Sequence, residues 1–134
     1  MPYGPRLDGV VVLVVEDDQD LRELTKRVLE SHGASVVAAG TGTEALRIVE
    51  KTPPDALLSD IWLPEMDGYT LMEKIRRLEH KKPIAAAAVS AYTSVEARHK
   101  SIAAGFQFHI SKPLDVAEVV MKVAILAGRG GPIA

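Results

Sequence analysis

Four groups of residues in this chain have the makings of a reaction centre, and each ends a short apolar run. Glu16-Asp17-Asp18 follow VVVLVV, Asp60 follows ALLS, Ser90 closes PIAAAAVS, and Lys112-Pro113 follow FHIS. If the fold gathers these run ends, three or more carboxylates share a crevice with one hydroxyl and one ammonium. At ~4 Å separation and an effective dielectric near ~20, each like-charged pair costs on the order of 4 kcal/mol. Folding then protonates some of the acids unless a cation joins them, and one lysine offsets only part of their charge. An all-oxygen ligand set without His or Cys suits Mg2+ (or Mn2+), which keeps its waters and takes few carboxylates. A metal, a lone carboxylate and a lysine point to phosphoryl chemistry, with the carboxylate as acceptor through an aspartyl phosphate. Lys112 and Ser90 would then hold the phosphoryl oxygens. The plainer reading of the acidic triplet is a helix cap, because acids favour a helix N-terminus. That reading leaves Asp60 and Lys112, each at its own run end, without an account.

The elements that must position these residues alternate along the chain. Val10–Val15 is a continuous β-branched run, as expected of a strand buried on both faces. A helix follows, with Leu21, Leu24, Val28 and Leu29 as its apolar stripe, and it stops at His32-Gly33. Ala34–Ala39 is the second strand, and Thr41-x-x-Glu44 is a capping box opening a helix that buries Ala45, Leu46 and Val49. Asp55–Asp60 is the third strand, followed by a helix from Tyr69 to Leu78 that buries Leu71, Met72 and Ile75. Pro83–Ser90 contains four alanines, which favour helix. Its short length, Pro83 at its start and a capping box at Thr93-x-x-Glu96 assign it to a fourth strand, followed by a helix ending at Ala104-Gly105. That helix has a thin apolar stripe of Val95 and Ile102, which suits light packing and freedom to shift. Phe106–Ile110 is the fifth strand, and Asp115-x-x-Glu118 opens a last helix burying Val116, Val119, Val120 and Val123.

Five β-then-α units give an α/β domain with a parallel sheet and right-handed crossovers. The flavodoxin-like strand order 2-1-3-4-5 suits five strands, and it makes strands 1 and 3 neighbours at the switch point where ligands bind. The expected organisation is a leader over residues 1–8, one domain over 9–127 and a flexible tail over 128–134. The ends carry Pro and Gly and little apolar surface with which to order themselves.

Composition narrows the function classes. The 134 residues, 47% apolar and 25% charged, suit one globular domain with one core. A net charge of −2 gives no basic field for nucleic acid. No apolar run approaches the ~18–20 residues that span a bilayer, so no membrane insertion is expected. The absence of cysteine excludes disulfides and thiol catalysis. The four histidines have no metal-ligand spacing and most are expected at the surface, and Lys74, Arg76, Arg77, His80, Lys81 and Lys82 read as a solvated helix end.

VLVVEDD, LLSDIWLPEMDG, VSAY and AGFQFHISKP, in this order and spacing, resemble the response-regulator receiver domain of two-component signalling, from about Val10 to Ala127. The resemblance implies Asp60 as the residue phosphorylated by a sensor histidine kinase or histidine phosphotransfer domain. It implies Mg2+ held by Glu16, Asp17, Asp60 and the backbone carbonyl of Trp62, with Asp18 outside the ligand set. It further implies Ser90 and Lys112 as phosphoryl-contacting groups, a cis Lys112–Pro113 bond, a cytoplasmic location, and a downstream protein partner at the fourth helix, fifth strand and fifth helix. The family's switch position usually carries Tyr or Phe and here carries His109, which reads either as a modified switch or as a solvent-facing histidine. Trp62 and Tyr92, each two residues beyond Asp60 and Ser90, correspond to positions that tune phosphoryl lifetime, and bulky rings there should obstruct water. The stretches LDG and AGFQFHISKPL resemble receivers carried by hybrid sensor histidine kinases. The sequence also allows an aspartate-nucleophile phosphohydrolase using Asp18-x-Asp20, or a phosphorylation-independent docking domain on the same fold.

Overall fold

The structure is a computed structural model and describes residues 4–78 and 83–129. Five strands alternate with five helices: β1 Val11–Val15, α1 Gln19–Ser31, β2 Ser35–Ala39, α2 Gly42–Lys51, β3 Ala56–Asp60, α3 Gly68–Arg77, β4 Ala85–Ser90, α4 Val95–Ala104, β5 Phe108–Ser111 and α5 Val116–Leu126. The sheet is parallel throughout, in the order β2-β1-β3-β4-β5. That is the flavodoxin-like order expected from the alternation.

Every strand sends alternate side chains to opposite faces, so the sheet carries two cores. Leu13, Val15, Leu57, Ala86 and Ala88 meet Ala45, Val49, Leu71, Met72 and Ile75 of α2 and α3. Val12, Val14, Leu58, Ala87 and Ile110 meet Leu29 of α1 and Val119, Val120 and Val123 of α5. The alanine-rich segment is a strand because both of its faces are covered: Ala86, Ala87 and Ala88 are fully buried. Tertiary burial overrides the helical preference of alanine there.

Each helix start is capped by a side-chain oxygen, which satisfies amides that the helix leaves orphaned. Thr41 and Asp115 cap α2 and α5 as expected, and Glu44 reaches back to the Gly40 amide at 2.8 Å. At α4 the expectation is corrected. The cap is Ser94, whose hydroxyl accepts from Ala97 at 3.1 Å, and Thr93 lies outside the helix.

Several burial expectations are also corrected. Val95 and Ile102, read as the inner stripe of α4, are 69% and 62% exposed, and the helix instead buries Ser101 and Ala104. Leu24 of α1 and Val116 of α5 are likewise exposed. His32 is buried at the end of α1, its Nδ1 lying 3.0 Å from the Val28 carbonyl, so it is not the surface histidine expected. Within the stretch read as leader, Leu7 is fully buried and its amide donates to the His32 carbonyl at 2.7 Å. Leu7 thus ties the chain to the α1–α5 face from within the stretch read as leader. In the basic group that begins in the last turn of α3, Arg76 folds back to donate to the carbonyls of Ile84, at 2.8 Å, and Gly105. His80, Lys81 and Lys82 lie outside the described residues.

Candidate acidic phosphoacceptor site

Parallel register carries all four groups to one edge of the sheet. Val15 pairs with Ser59, so Glu16 and Asp60 are the next positions on adjacent strands. Asp60 pairs with Val89, and Ser90 pairs with Ser111, one residue before Lys112. The run ends quoted above therefore meet at the carboxyl ends of β1, β3, β4 and β5, where α/β sheets bind ligands.

At this edge Lys112 Nζ donates to Asp60 Oδ2 at 2.7 Å and to Glu16 Oε1 at 3.1 Å. Both carboxylates are buried, and buried charges are retained only when paired and hydrogen-bonded. The remaining oxygens are occupied as well. Asp60 Oδ1 accepts from the Trp62 amide at 3.1 Å, and Glu16 Oε2 accepts from the Asp18 amide at 3.1 Å. The turn after β3 is closed by Gly68, whose amide donates to the Ile61 carbonyl at 2.8 Å. A Cβ on Gly68 would lie 2.5 Å from the Asp60 carbonyl oxygen, so only glycine lets α3 start this close to β3.

Electrostatics show a surplus of negative charge. The Glu16 carboxyl is pushed up to about 7, chiefly by burial and further by the charge of Asp60, against the opposing Asp18 amide and Lys112 ammonium. Burial lowers the affinity of Lys112 for its proton, but its hydrogen bonds and charge interactions with Asp60 and Glu16 outweigh this and hold its pKa above the ordinary lysine value. A carboxyl that approaches neutrality beside an ammonium is one that a divalent cation would return to the charged form. Carboxylate oxygens of Glu16, Asp17 and Asp60 all lie within 4.8 Å of one another, Asp17 being the exposed member. Oxygen donors, spacing and excess charge together fit Mg2+ or Mn2+. Asp18 is committed elsewhere: its Oδ1 caps α1 by accepting from Leu21 at 3.0 Å.

Ser90, buried at the end of β4, accepts on Oγ from the Tyr92 amide at 3.0 Å. The Tyr92 carbonyl in turn lies 2.9 Å from His109 Nε2, and His109 Nδ1 lies 3.0 Å from the Ser101 hydroxyl. A carbonyl only accepts, so Nε2 carries the hydrogen. Burial, aided by the positive charges of Arg98 and Lys122 and against the Tyr92 bond, lowers the His109 pKa. The ring is therefore neutral, and its Nδ1 shares with the Ala97 carbonyl, 3.1 Å from Ser101 Oγ, the one hydroxyl hydrogen of Ser101. His109 is thus not the solvent-facing histidine that one reading of the sequence allowed. Trp62 and Tyr92 do not stand apart on two sides of Asp60: their rings meet edge to face at 5.6 Å, both more than half exposed.

Two contributors escaped the sequence reading. Ser101 had no signal, being one polar residue in a polar helix. Arg22, whose Nη1 donates to the Glu16 carbonyl at 2.7 Å, stands one turn into α1 and shows nothing in sequence beyond its charge.

Comparison with known proteins agrees with this fold. The model of the response regulator receiver domain matches residues 12–124. The chain is 38% identical over 112 residues to an uncharacterised 14.6 kDa protein of Leptolyngbya boryana, covering 84% of this chain and 86% of that one. It is 37% identical over 123 residues to the transcriptional regulatory protein PrrA of Mycobacterium leprae, covering 92% of this chain and 52% of that protein, about half its length. Among solved structures, the receiver domain of the sensor histidine kinase PA1611 from Pseudomonas aeruginosa, which has a magnesium ion coordinated in its active-site cleft, superposes with a TM-score of 0.82 at 29% identity. That match covers 90% of this chain and 98% of that one.

Proposed function

The chain belongs to the response-regulator receiver family, and we propose that Asp60 is the residue through which it accepts a phosphoryl group from the phosphohistidine of a sensor histidine kinase or histidine phosphotransfer domain. In that transfer an Asp60 oxygen forms the new bond to phosphorus, the phosphorus–nitrogen bond breaks, and the donor histidine keeps the electron pair. The single observation that carries the reading is the contact of Lys112 with both Asp60 and Glu16 at the strand ends.

Each residue has a derived role. Lys112 already sits on Asp60 Oδ2 and would follow the charge outward onto a phosphoryl oxygen. Ser90 Oγ, oriented by the Tyr92 amide, would offer its hydroxyl hydrogen to a second oxygen. Glu16, Asp17, Asp60 and the Trp62 carbonyl would hold Mg2+ or Mn2+. When bound, the ion supplies positive charge against the acids and the phosphoryl oxygens. The Trp62–Tyr92 ring pair would limit the approach of water and lengthen the phosphoryl lifetime.

The chain Ser90–Tyr92–His109–Ser101 supports His109 as the switch residue: movement of Ser90 toward a phosphoryl group pulls on a hydrogen-bonded series that ends on α4. Light packing of α4, with Val95 and Ile102 outward, suits an element that shifts or docks a downstream protein with β5 and α5. A cytoplasmic setting accompanies this reading.

Incubation with Mg2+ and acetyl phosphate tests it. An acid-stable, base-labile adduct is expected in the wild type and not in Asp60→Ala. Equal labelling of Asp60→Ala would defeat the assignment, and no labelling of either would favour phosphorylation-independent docking. The phosphohydrolase reading is disfavoured because Asp18 is spent as a helix cap and Asp20 lies in the first turn of α1.

A further inference from the structure

Glu16 is held at every polar group it has. Its amide donates to the Ala39 carbonyl at 3.0 Å, its carboxylate accepts from Asp18 and Lys112, and its carbonyl accepts from Arg22 Nη1 at 2.7 Å. The last contact is the informative one, because the Glu16 carbonyl belongs to the rigid peptide plane joining Glu16 to Asp17. Holding that carbonyl fixes the torsions on either side of the plane, ψ of Glu16 and φ of Asp17, and so the path by which the turn carries both acids toward Asp60 and Lys112. Glu16 lies just beyond β1, and among the described residues no backbone amide outside the helices and strands donates to its carbonyl. The restraint comes from α1, whose own start is tied to the same turn by Asp18: the Arg22 amide donates to the Asp18 carbonyl at 2.9 Å. Arg22 therefore grips the turn twice, by backbone and by side chain. The end of β2 leaves room for its guanidinium, since a Cβ on Gly40 would lie 3.1 Å from Nη1.

We infer that Arg22 is a positioning residue for the metal site: by clamping the Glu16–Asp17 peptide it aims both acids into the crevice. The inference rests on the metal reading above and adds a residue outside the ligand set. It also opposes simple electrostatics. A cation beside the acids repels Mg2+, so an Arg22 acting only through charge would weaken metal binding, and its removal would tighten it. A clamp gives the opposite sign. Loss of a residue that orients ligands typically lowers metal affinity about 10–100-fold.

The test is a Mg2+ titration of the unphosphorylated full chain. It is followed by the fluorescence of Trp62, the only tryptophan, whose amide bonds the Asp60 carboxylate. Wild type, Arg22→Met and Arg22→Lys are compared, with thermal unfolding alongside. Arg22→Met is expected to weaken Mg2+ binding about 10-fold, and Arg22→Lys, which keeps the charge and one donor on a shorter arm, to weaken it less. Phosphorylation from acetyl phosphate in Arg22→Met should recover at saturating Mg2+, a recovery that general misfolding would not show. Unchanged or tighter Mg2+ binding in Arg22→Met, beside a wild type that binds, overturns this inference alone. Should Arg22→Met fail to fold, Arg22→Lys decides the matter in the same way. A wild type that does not bind Mg2+ removes the metal reading and this inference with it.

Discussion

Lys112 Nζ lies 2.7 Å from Asp60 Oδ2, 52 residues away in sequence, and the same ammonium reaches Glu16 across 96 residues. One cation thus pairs with carboxylates at the ends of two strands. Lys112→Met would leave two buried acids facing each other, so a loss of about 3–5 kcal/mol is expected at neutral pH. Urea unfolding should also show the variant recovering part of that loss in acid. Unpaired buried carboxyls have folded pKa values above their unfolded ones, so their penalty is absent below the unfolded pKa and grows as pH rises. A variant as stable as the wild type at pH 8 would contradict the pairing.

His109 predicts a slope of the opposite sign. Its folded pKa lies below the unfolded value of about 6.5, so the unfolded chain binds more protons in that window and stability falls as pH drops below about 6.5. The stability difference between the wild type and His109→Phe should therefore shrink from pH 7.5 to pH 5, measured by denaturant titration at each pH. A constant difference would mean that the ring does not titrate in this range.

The aromatic pair makes a kinetic prediction. Trp62→Asn and Tyr92→Asn each remove one ring of an edge-to-face contact at 5.6 Å. Each should shorten the phosphoryl half-life several-fold, read as loss of label after donor removal. Because the rings touch, the double variant should fall short of the summed single effects.

Gly68 makes a steric one. A methyl group at that position meets the Asp60 carbonyl at 2.5 Å, and that oxygen is backbone that cannot step aside without moving Asp60. Gly68→Ala should cost more than about 2 kcal/mol and lower the rate of phosphorylation from acetyl phosphate.

Glu65, in the same turn, has a φ of 68°, a left-handed conformation that costs a side-chain-bearing residue about 1–2 kcal/mol. Glu65→Gly should relieve more strain than it loses to the entropy of the unfolded chain, for a net gain of roughly 0.5 kcal/mol in thermal or urea unfolding.

Much of this protein was legible in its residues alone. Short apolar runs and capping residues announce ten elements, and the order in which they alternate restricts a parallel sheet to few topologies. That topology brings the ends of β1, β3, β4 and β5 together, so Glu16, Asp17, Asp60, Ser90 and Lys112 could be named as one site before any coordinate was known. Local pattern and chain connectivity carry this information because a strand's direction and a crossover's hand are properties of short stretches. What only the tertiary structure decided are contacts between groups that no spacing relates. Examples are Arg22 on the Glu16 carbonyl, Ser101 against His109, Leu7 under α1, and the rings of Trp62 and Tyr92 against each other. The exposure of Val95 and Ile102 belongs with them: helical periodicity gives a stripe, but which stripe faces inward depends on the neighbours that cover it. A side chain's partner is chosen by where separate elements come to rest, and that is set by the packing of the whole domain.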